Sequence, residues 1–133
     1  MPVIDTEVLF AMNPRDPKHS AAGALFKQGK DVKLPDTVLL EFQLVLRGRG
    51  RTAQDVAGAM LSLRKVLSTH RIAEVKTIDT NLLVLQGKLE DSYGLSYFDS
   101  LIAASAIVLG EEVVTDDKAF ERVPHLARKP FTR

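Results

Sequence analysis

The chain has 133 residues, of which 45% are hydrophobic and 26% are charged, and its formal net charge at pH 7 is +1. This length predicts one domain, residues 1–133, that buries a core without disulfides or structural metals. Because positive and negative charges nearly balance, no overall electrostatic field indicates binding to nucleic acid or to a membrane. The absence of cysteine excludes thiolate metal sites and cysteine nucleophiles, and it fits a reducing compartment.

No secretion signal or membrane segment is predicted. The first residues, MPVIDTEV, contain no basic region followed by a long apolar stretch. No apolar run reaches the roughly 18 residues that a spanning helix needs. We therefore expect a cytoplasmic protein without a membrane partner.

Short apolar segments alternate with helical patterns along the chain, which predicts an α/β fold with a mainly parallel central sheet. Buried strands show as short apolar runs, whereas helices show apolar residues at every third or fourth position. In the first half, the predicted elements are, in order, strand Val3–Asp5, helix 18–28 with Gly29 as its stop signal, strand Lys33–Leu34, and a helix from an N-cap at Asp36 or Thr37 to about Arg47.

Capping residues mark the helix boundaries of the second half. A Ser, Thr or Asp before a helix accepts a hydrogen bond from its first turn, and a glycine after the last turn supplies a left-handed residue. The predicted elements are, in order, a helix capped by Thr52, a half-exposed strand within 71–78, a helix from Asp79 to about Tyr93 ended by Gly94, a helix from Ser96 to Gly110, strand Glu112–Thr115, and a final strand near Arg128–Phe131.

Two acidic residues interrupt the apolar faces of predicted helices. Helical neighbours lie three and four residues apart, so Asp99 shares its face with Ile102 and Ala106, and Glu41 shares its face with Val38. An ionised carboxylate on a buried face is costly unless it is paired or binds a cation.

Further aspartates directly follow predicted buried strands, namely Asp5 and the adjacent pair Asp116 and Asp117. Ligand sites in open parallel sheets lie just outside the carboxyl ends of the strands. We therefore expect these aspartates to meet Glu41 and Asp99 in one crevice. At about 4 Å and an effective dielectric of about 20, each pair of unit charges repels by roughly 4 kcal/mol. Such a cluster persists by taking up protons or by binding a divalent cation.

The residue types favour a cation bound through oxygen. The chain has no cysteine and only three scattered histidines, which favours Mg²⁺ or Mn²⁺ over zinc. Such an ion suits hydrolysis of a phosphodiester. Each acid taken alone has a simpler interpretation as a helix cap, a turn residue or half of an ion pair, but four acids in apolar contexts favour function as a set. The acids that we interpret as caps or turn residues are Asp36, Asp55, Asp79 and Asp91.

Four sequence features carry a resemblance to a known family. They are, in order, Asp5 and Thr6 after the first strand, Glu41 on an apolar helix, YFDSLIAASAIVLG at 97–110, and VVTDDKAF at 113–120. In this order and spacing they resemble the PIN-domain ribonucleases, especially the VapC-type toxins. The resemblance runs along nearly the whole chain. It implies a three-layer α/β/α fold and an endoribonuclease that depends on Mg²⁺ or Mn²⁺.

The resemblance also implies the roles of individual residues. The four catalytic acids, of which the first, third and fourth would hold the metal, are Asp5, Glu41, Asp99 and Asp117. Thr115 and Asp117 match the family's Thr-x-Asp pattern, whereas Asp116 falls at a variable position, as a turn residue or a helper. The hydroxyls of Thr6 and Thr115 would support the site.

Two features lie outside this pattern. The family usually has Asn or Ser where this chain has Glu7, which either joins the site or points away; we expect the second, because Glu is favourable near a helix N-terminus. The stretch RGRGR carries Arg47, Arg49 and Arg51. These arginines either contact RNA phosphates or complement the C-terminal end of a helix.

Two other classes of protein share part of this pattern. A phospho-receiver domain also gathers acids around Mg²⁺, but its paired acids follow the first strand, whereas the pair here follows a late one. A non-catalytic relative that binds RNA or protein would be favoured by a missing acid, and none is missing. We therefore predict an endoribonuclease, by family analogy a homodimeric toxin held by a cognate antitoxin, with a free-standing RNA-processing nuclease as the alternative.

Overall fold

The computed structural model describes residues 1–27 and 31–132, and a parallel sheet forms its centre. The five strands of this sheet are β1 Val3–Ile4, β2 Lys33–Pro35, β3 Ala73–Val75, β4 Val113–Val114 and β5 Arg128–Lys129. Their spatial order is β3-β2-β1-β4-β5, and every neighbouring pair is parallel. The predicted sheet is therefore confirmed, and in the described ranges it is wholly parallel.

Helices connect these strands on both faces of the sheet. They are α1 Thr6–Phe10, α2 His19–Lys27, α3 Asp36–Gly48, α4 Ala53–Thr69, α5 Thr80–Tyr93 and α6 Tyr97–Leu109, with a 3-10 helix at Lys118–Arg122. Parallel neighbours require such crossovers, and the result is the three-layer α/β/α fold that the resemblance implied. The predicted stop at Gly29 and the last residue of the predicted helix 18–28 lie outside the described residues. No helix in the described ranges is long and apolar enough to cross a bilayer.

The capping signals in the sequence set most of the helix boundaries. The predicted N-caps that accept a hydrogen bond from the first turn are Thr52, Asp79 and Ser96. Gly94 and Gly110 end α5 and α6 with φ angles of 63° and 68°, as expected for left-handed glycines. The cap predicted at Asp36 or Thr37 is wrong, because Pro35 is the N-cap of α3 and Asp36 is its first helical residue.

The order of the strands determines which side chains meet at one edge of the sheet. β1 lies at the centre with β4 beside it, and the N–H of Asp5 donates to the carbonyl of Val114 at 3.1 Å. Asp5 and Thr115, the residues that follow these two strands, therefore emerge side by side. Next to them, α6 packs against α3 and α5 and buries Ser100 through Ala106.

Candidate active site

Asp5 and Thr115 form the centre of the site at the carboxyl ends of β1 and β4. Asp5 is 7% exposed, and the Thr115 hydroxyl donates to its Oδ2 at 2.7 Å. The N–H of Thr6 donates to Asp5 Oδ1 at 2.7 Å, so Asp5 also caps α1. The N–H of Asp117 donates to the Thr115 oxygen at 3.0 Å. The Thr115 hydroxyl therefore joins Asp5 to the segment that carries Asp117.

Glu41 reaches the same place from α3, through a second threonine. The hydroxyl of Thr6, at the first turn of α1, donates to Glu41 Oε1. Thr6 directly follows Asp5, and its side chain is buried. Thr6 thus joins the first and second acids, as Thr115 joins the first and fourth.

Asp99 completes the group from the first turn of α6. Burial is the largest of the causes that raise its pKa to about 6; the nearby carboxylates of Asp117 and Glu41 add to the shift, and the hydrogen bond to Ser96 opposes it. Electrostatic coupling of this kind requires short separations. The structure therefore brings together the four acids that the sequence singled out, although they come from four separate segments.

The negative charge of this crevice is not balanced by nearby cations. The pKa of Asp5 is raised to about 7, mainly by burial; the charges of Glu7 and Glu41 contribute to this shift, and the hydrogen bonds from Thr115 and Thr6 oppose it. Within residues 1–27 and 31–132, no Lys, Arg or His forms an ion pair with Asp5, Glu41, Asp99 or Asp117. The site thus combines a buried carboxylate, Asp5, with three further acids, and none of the four is paired with a cation among the described residues.

The chemistry of the donors fits a hard divalent cation, although the side chains do not form a complete set of ligands in the described residues. The crevice offers carboxylate and hydroxyl oxygens, which Mg²⁺ and Mn²⁺ prefer. However, no three acidic or histidine side chains in the described part of the chain form a group that could hold a metal. The Thr6 hydroxyl is bonded to Glu41, and the Thr115 hydroxyl is bonded to Asp5.

Asp116 faces away from Asp5 and anchors a later part of the chain. Its Oδ1 accepts the N–H groups of Phe131 and Thr132, both at 2.8 Å, and its Oδ2 accepts from the Thr132 hydroxyl and from Lys18 Nζ, the latter at 2.9 Å. Burial alone would raise the pKa of Asp116, but these hydrogen bonds hold it well below its usual range. The neighbouring Asp117 is exposed and lies close to Asp99, whose pKa its charge helps to raise.

Glu7, the departure from the family pattern, joins this anchor. Its Oε1 accepts the N–H of Asp116 at 2.6 Å, and its Oε2 lies 3.3 Å from Lys18 Nζ. Glu7 is thus turned toward Lys18 and Asp116, while its charge still raises the pKa of Asp5. His19 places Nδ1 2.8 Å from the carbonyl of Ala11.

The three arginines of 47–51 lie around the C-terminal end of α3. The guanidinium carbon of Arg49 is 4.8 Å from the centroid of the Phe10 ring, a cation–π contact. Arg49 and Arg51 border a groove of about 310 Å³ between α1, α3 and α4, and Arg47 is exposed. The apolar side chains that line this groove include Leu9, Phe10, Phe42, Leu46, Leu63 and Val66.

Sequence reasoning missed two sets of polar residues near the acids. Lys18 lies at the start of the predicted helix 18–28, and its sequence separation of 98 residues from Asp116 leaves no local pattern that connects the two. The buried hydroxyls of Thr37 and Ser105, on α3 and α6, do carry a signal. They are polar residues in apolar helix contexts, the same signal that identified the acids.

The metal-free protein is expected to lose stability as the pH rises from about 4 to about 7. The pKa of Asp5 is raised from 3.8 to about 7, so the protonated form favours the fold and this contribution disappears as the pH passes through the folded-state value. At about 1.36 kcal/mol per pKa unit, the loss amounts to at most about 4 kcal/mol. Urea unfolding in EDTA at pH 4.5, 6 and 8 measures it.

Asp5→Asn should remove the larger part of this pH dependence and leave the smaller part that comes from Asp99, whose pKa is raised to about 6, whereas Asp91→Asn on the exposed surface of α5 should leave all of it unchanged. Asp116 does not interfere, because its lowered pKa acts only below about pH 4. A wild-type stability that stays constant between pH 4.5 and 8 would contradict the prediction.

Comparison with known proteins identifies the fold family. The model of the PIN domain matches residues 3–126. Similar solved structures include VapBC2 from Rickettsia felis bound to a promoter DNA fragment, at 19% identity over 96% of both chains with a TM-score of 0.69. Another is FitAcB from Neisseria gonorrhoeae, at 19% identity over 98% of both chains with a TM-score of 0.70.

A third similar structure is VapC20 from Mycobacterium tuberculosis, described as a sarcin-ricin loop cleaving toxin. It is 20% identical, with 91% of this chain and 93% of that chain covered and a TM-score of 0.70. Among curated proteins, no match was found. These identities show the fold alone, whereas the family match covers nearly the whole chain. The chain therefore belongs to the PIN domain family.

Proposed function

We propose that this protein is an endoribonuclease that hydrolyses RNA phosphodiester bonds with the help of Mg²⁺ or Mn²⁺ in the cytoplasm. The observation that carries the proposal is the crevice of four acids, which lack cation partners among the described residues and include two with raised pKa values. PIN domains are generally nucleases that use divalent metals. RNA is proposed as the substrate because a structural neighbour is described as cleaving the sarcin-ricin loop.

The four acids divide the work in this proposal. Asp5, Asp99 and Asp117 would hold the ion, which when bound lowers the pKa of a water and offsets the charge of the phosphate. Glu41, oriented by the Thr6 hydroxyl, would position the attacking water for in-line displacement. Asp117 is the exposed member, so the phosphate would approach from its side.

Mn²⁺ is expected to raise the melting temperature of the wild type, because binding to the folded state alone stabilises it. The stabilisation is about 1.4 kcal/mol at ten times Kd. Asp99→Asn should lose most of this shift. Asp116→Asn should melt at a lower temperature without metal, because Asp116 anchors the segment near Thr132. Its melting temperature should still rise with Mn²⁺ by as much as that of the wild type. Differential scanning fluorimetry with EDTA and with millimolar Mn²⁺ measures both variants.

Glu41→Gln should separate binding from cleavage. Loss of the group that positions the water should reduce cleavage of structured RNA by on the order of 10²-fold or more, while the Mn²⁺ shift remains. Absence of any Mn²⁺ shift in the wild type, even with a nuclease-resistant RNA, would overturn the enzyme proposal. It would favour a PIN domain that binds RNA or protein without cutting, for which the lack of a three-ligand group among the described residues is the supporting observation.

We further propose that the protein is a toxin and that its antitoxin occupies the groove between α1, α3 and α4. The groove is apolar with Arg49 and Arg51 at its edge, and within the described ranges neither arginine is ion-paired. An apolar segment with acidic residues is complementary to it. The Phe10 and Phe42 rings lie 4.8 Å apart in this groove, and Phe42 follows Glu41, so a bound segment would lie next to the crevice. Structural neighbours include VapBC2 and FitAcB.

Reversing the charge at the groove tests this assignment. Arg49→Glu with Arg51→Glu should weaken binding to a small DNA-binding protein encoded beside this gene by about tenfold or more, because like charges then face each other. RNA cleavage should persist. The opposite result, lost cleavage with intact binding, would assign Arg47, Arg49 and Arg51 to RNA phosphates. Absence of such a neighbouring gene would favour a free-standing RNA-processing nuclease.

A homodimer is also proposed. Ile78, Leu83 and Val84 lie within one short stretch at the start of α5 and are each 44% to 54% exposed. Replacing Leu83 and Val84 by lysine should shift the mass in light scattering from dimer to monomer, whereas Leu61→Lys on α4 should not. A wild-type monomer at micromolar concentration would contradict the proposal.

A further inference from the structure

A chain of buried hydroxyl groups links α3 to α6 and to the loop after β3. Thr37 Oγ1 lies 2.8 Å from Ser105 Oγ, which lies 2.8 Å from Thr77 Oγ1. The Thr77 hydroxyl also donates to Asp36 Oδ1 at 2.7 Å. Thr37 and Ser105 are fully buried, and Thr77 is 7% exposed. Three elements of the fold are thus connected by a single line of polar atoms.

The carboxylate of Asp36 gives this line a direction. An ionised carboxylate only accepts hydrogen bonds, and each hydroxyl has one proton to donate. Thr77 therefore donates to Asp36, Ser105 to Thr77, and Thr37 to Ser105. The carbonyl of Leu101, 3.0 Å from Ser105 Oγ, is a second and longer acceptor for the same proton. Hydrogen bonds that run in one direction polarise and strengthen one another.

Asp36 also fixes the loop after β3 to the first turn of α3. Its Oδ2 accepts the N–H groups of Thr77 at 2.9 Å and Ile78 at 3.0 Å. The position of Thr77, and through it that of Ser105, is therefore set by the backbone as well as by the hydroxyls.

The line of hydroxyls ends one helical turn from the second acid. Thr37 and Glu41 are four residues apart on α3 and so share one face. α3 packs against α6, the helix whose first turn carries Asp99. The contact between Thr37 and Ser105 ties α3 to α6 at a point between Glu41 and the rest of the hydroxyl line. Thr6 orients the Glu41 carboxylate, and the hydroxyls locate its backbone.

We propose that Thr37, Thr77 and Ser105 are positioning residues that hold Glu41 in register with Asp99 for cleavage. This inference rests on the proposed nuclease function. Apolar residues of similar size would fill the same space without the cost of burying hydroxyl groups. A satisfied polar network instead selects one arrangement of the packed helices, because a shifted helix leaves buried groups without partners.

The test compares two variants, each of which removes one buried hydroxyl that lies on α6 or contacts it. Thr37→Val keeps the shape of the side chain and breaks the link to Ser105. The matched control is Ser100→Ala, because Ser100 is also fully buried on α6 but its hydroxyl faces Gln86 of α5 at 3.0 Å. Both variants are assayed for RNA cleavage under conditions in which each is fully folded.

Thr37→Val should lower kcat by about tenfold or more, since small misplacements of a catalytic group are costly. Its KM and its Mn²⁺-induced rise in melting temperature should not change, because the residues that hold the ion are untouched. Ser100→Ala should lose stability but keep its kcat. Thr37→Ser keeps the hydroxyl donor and should therefore retain most of the wild-type kcat that Thr37→Val loses.

Ser105→Ala is the second variant, and it should reproduce the loss of kcat even if Thr37→Val does not fold. The double variant should lose no more than the worse single variant, because one break already interrupts the line. A kcat for Ser105→Ala equal to that of Ser100→Ala would overturn the inference while wild-type cleavage upholds the proposed function. A wild type without any cleavage would overturn the proposed function itself.

Discussion

The site depends on one buried carboxylate, Asp5, which the central strand places at the edge of the sheet. β1 is the central strand, flanked by β2 and β4, so the residue at its carboxyl end lies in the middle of the sheet edge. There Asp5 contacts Thr115 after β4, and the adjacent Thr6 contacts Glu41 on α3. Burial raises the pKa of Asp5 to about 7, and no described cation is paired with it. The fold therefore bears an electrostatic cost at this point, which a divalent cation would offset.

Two threonines donate hydrogen bonds to the carboxylates of the crevice. Thr6 and Thr115 each donate a hydrogen bond to a carboxylate, and Thr115 also accepts one from the N–H of Asp117. Thr6 thereby links Asp5 to Glu41, and Thr115 links Asp5 to the segment that carries Asp117. A cation bound to these carboxylates would compete with the hydroxyl donors.

The acids were predictable from the sequence because each one breaks an apolar pattern, and the sheet topology then decides that they meet. Their partners were less predictable. Asp36 looked like an ordinary helix cap, yet it binds Thr77, 41 residues away, across a loop whose path the local sequence does not encode. Lys18 and Asp116 are separated by 98 residues, and only the folded chain shows that they pair. Patterns of burial can be read locally, whereas hydrogen bonds between distant loops cannot.

The adjacent pair Asp116 and Asp117 shows how the fold resolves two like charges in a row. The backbone turns them in different directions, because Asp116 accepts four hydrogen bonds from Lys18 and the segment around Thr132. That anchor keeps the Asp116 carboxylate ionised and occupied, so it does not compete for a cation. Asp117 remains exposed, with its N–H tied to the same hydroxyl that binds Asp5. One aspartate thus secures the loop, whereas the other lies exposed at the rim of the crevice, where its Oδ1 accepts the N–H of Ala119 at 2.9 Å.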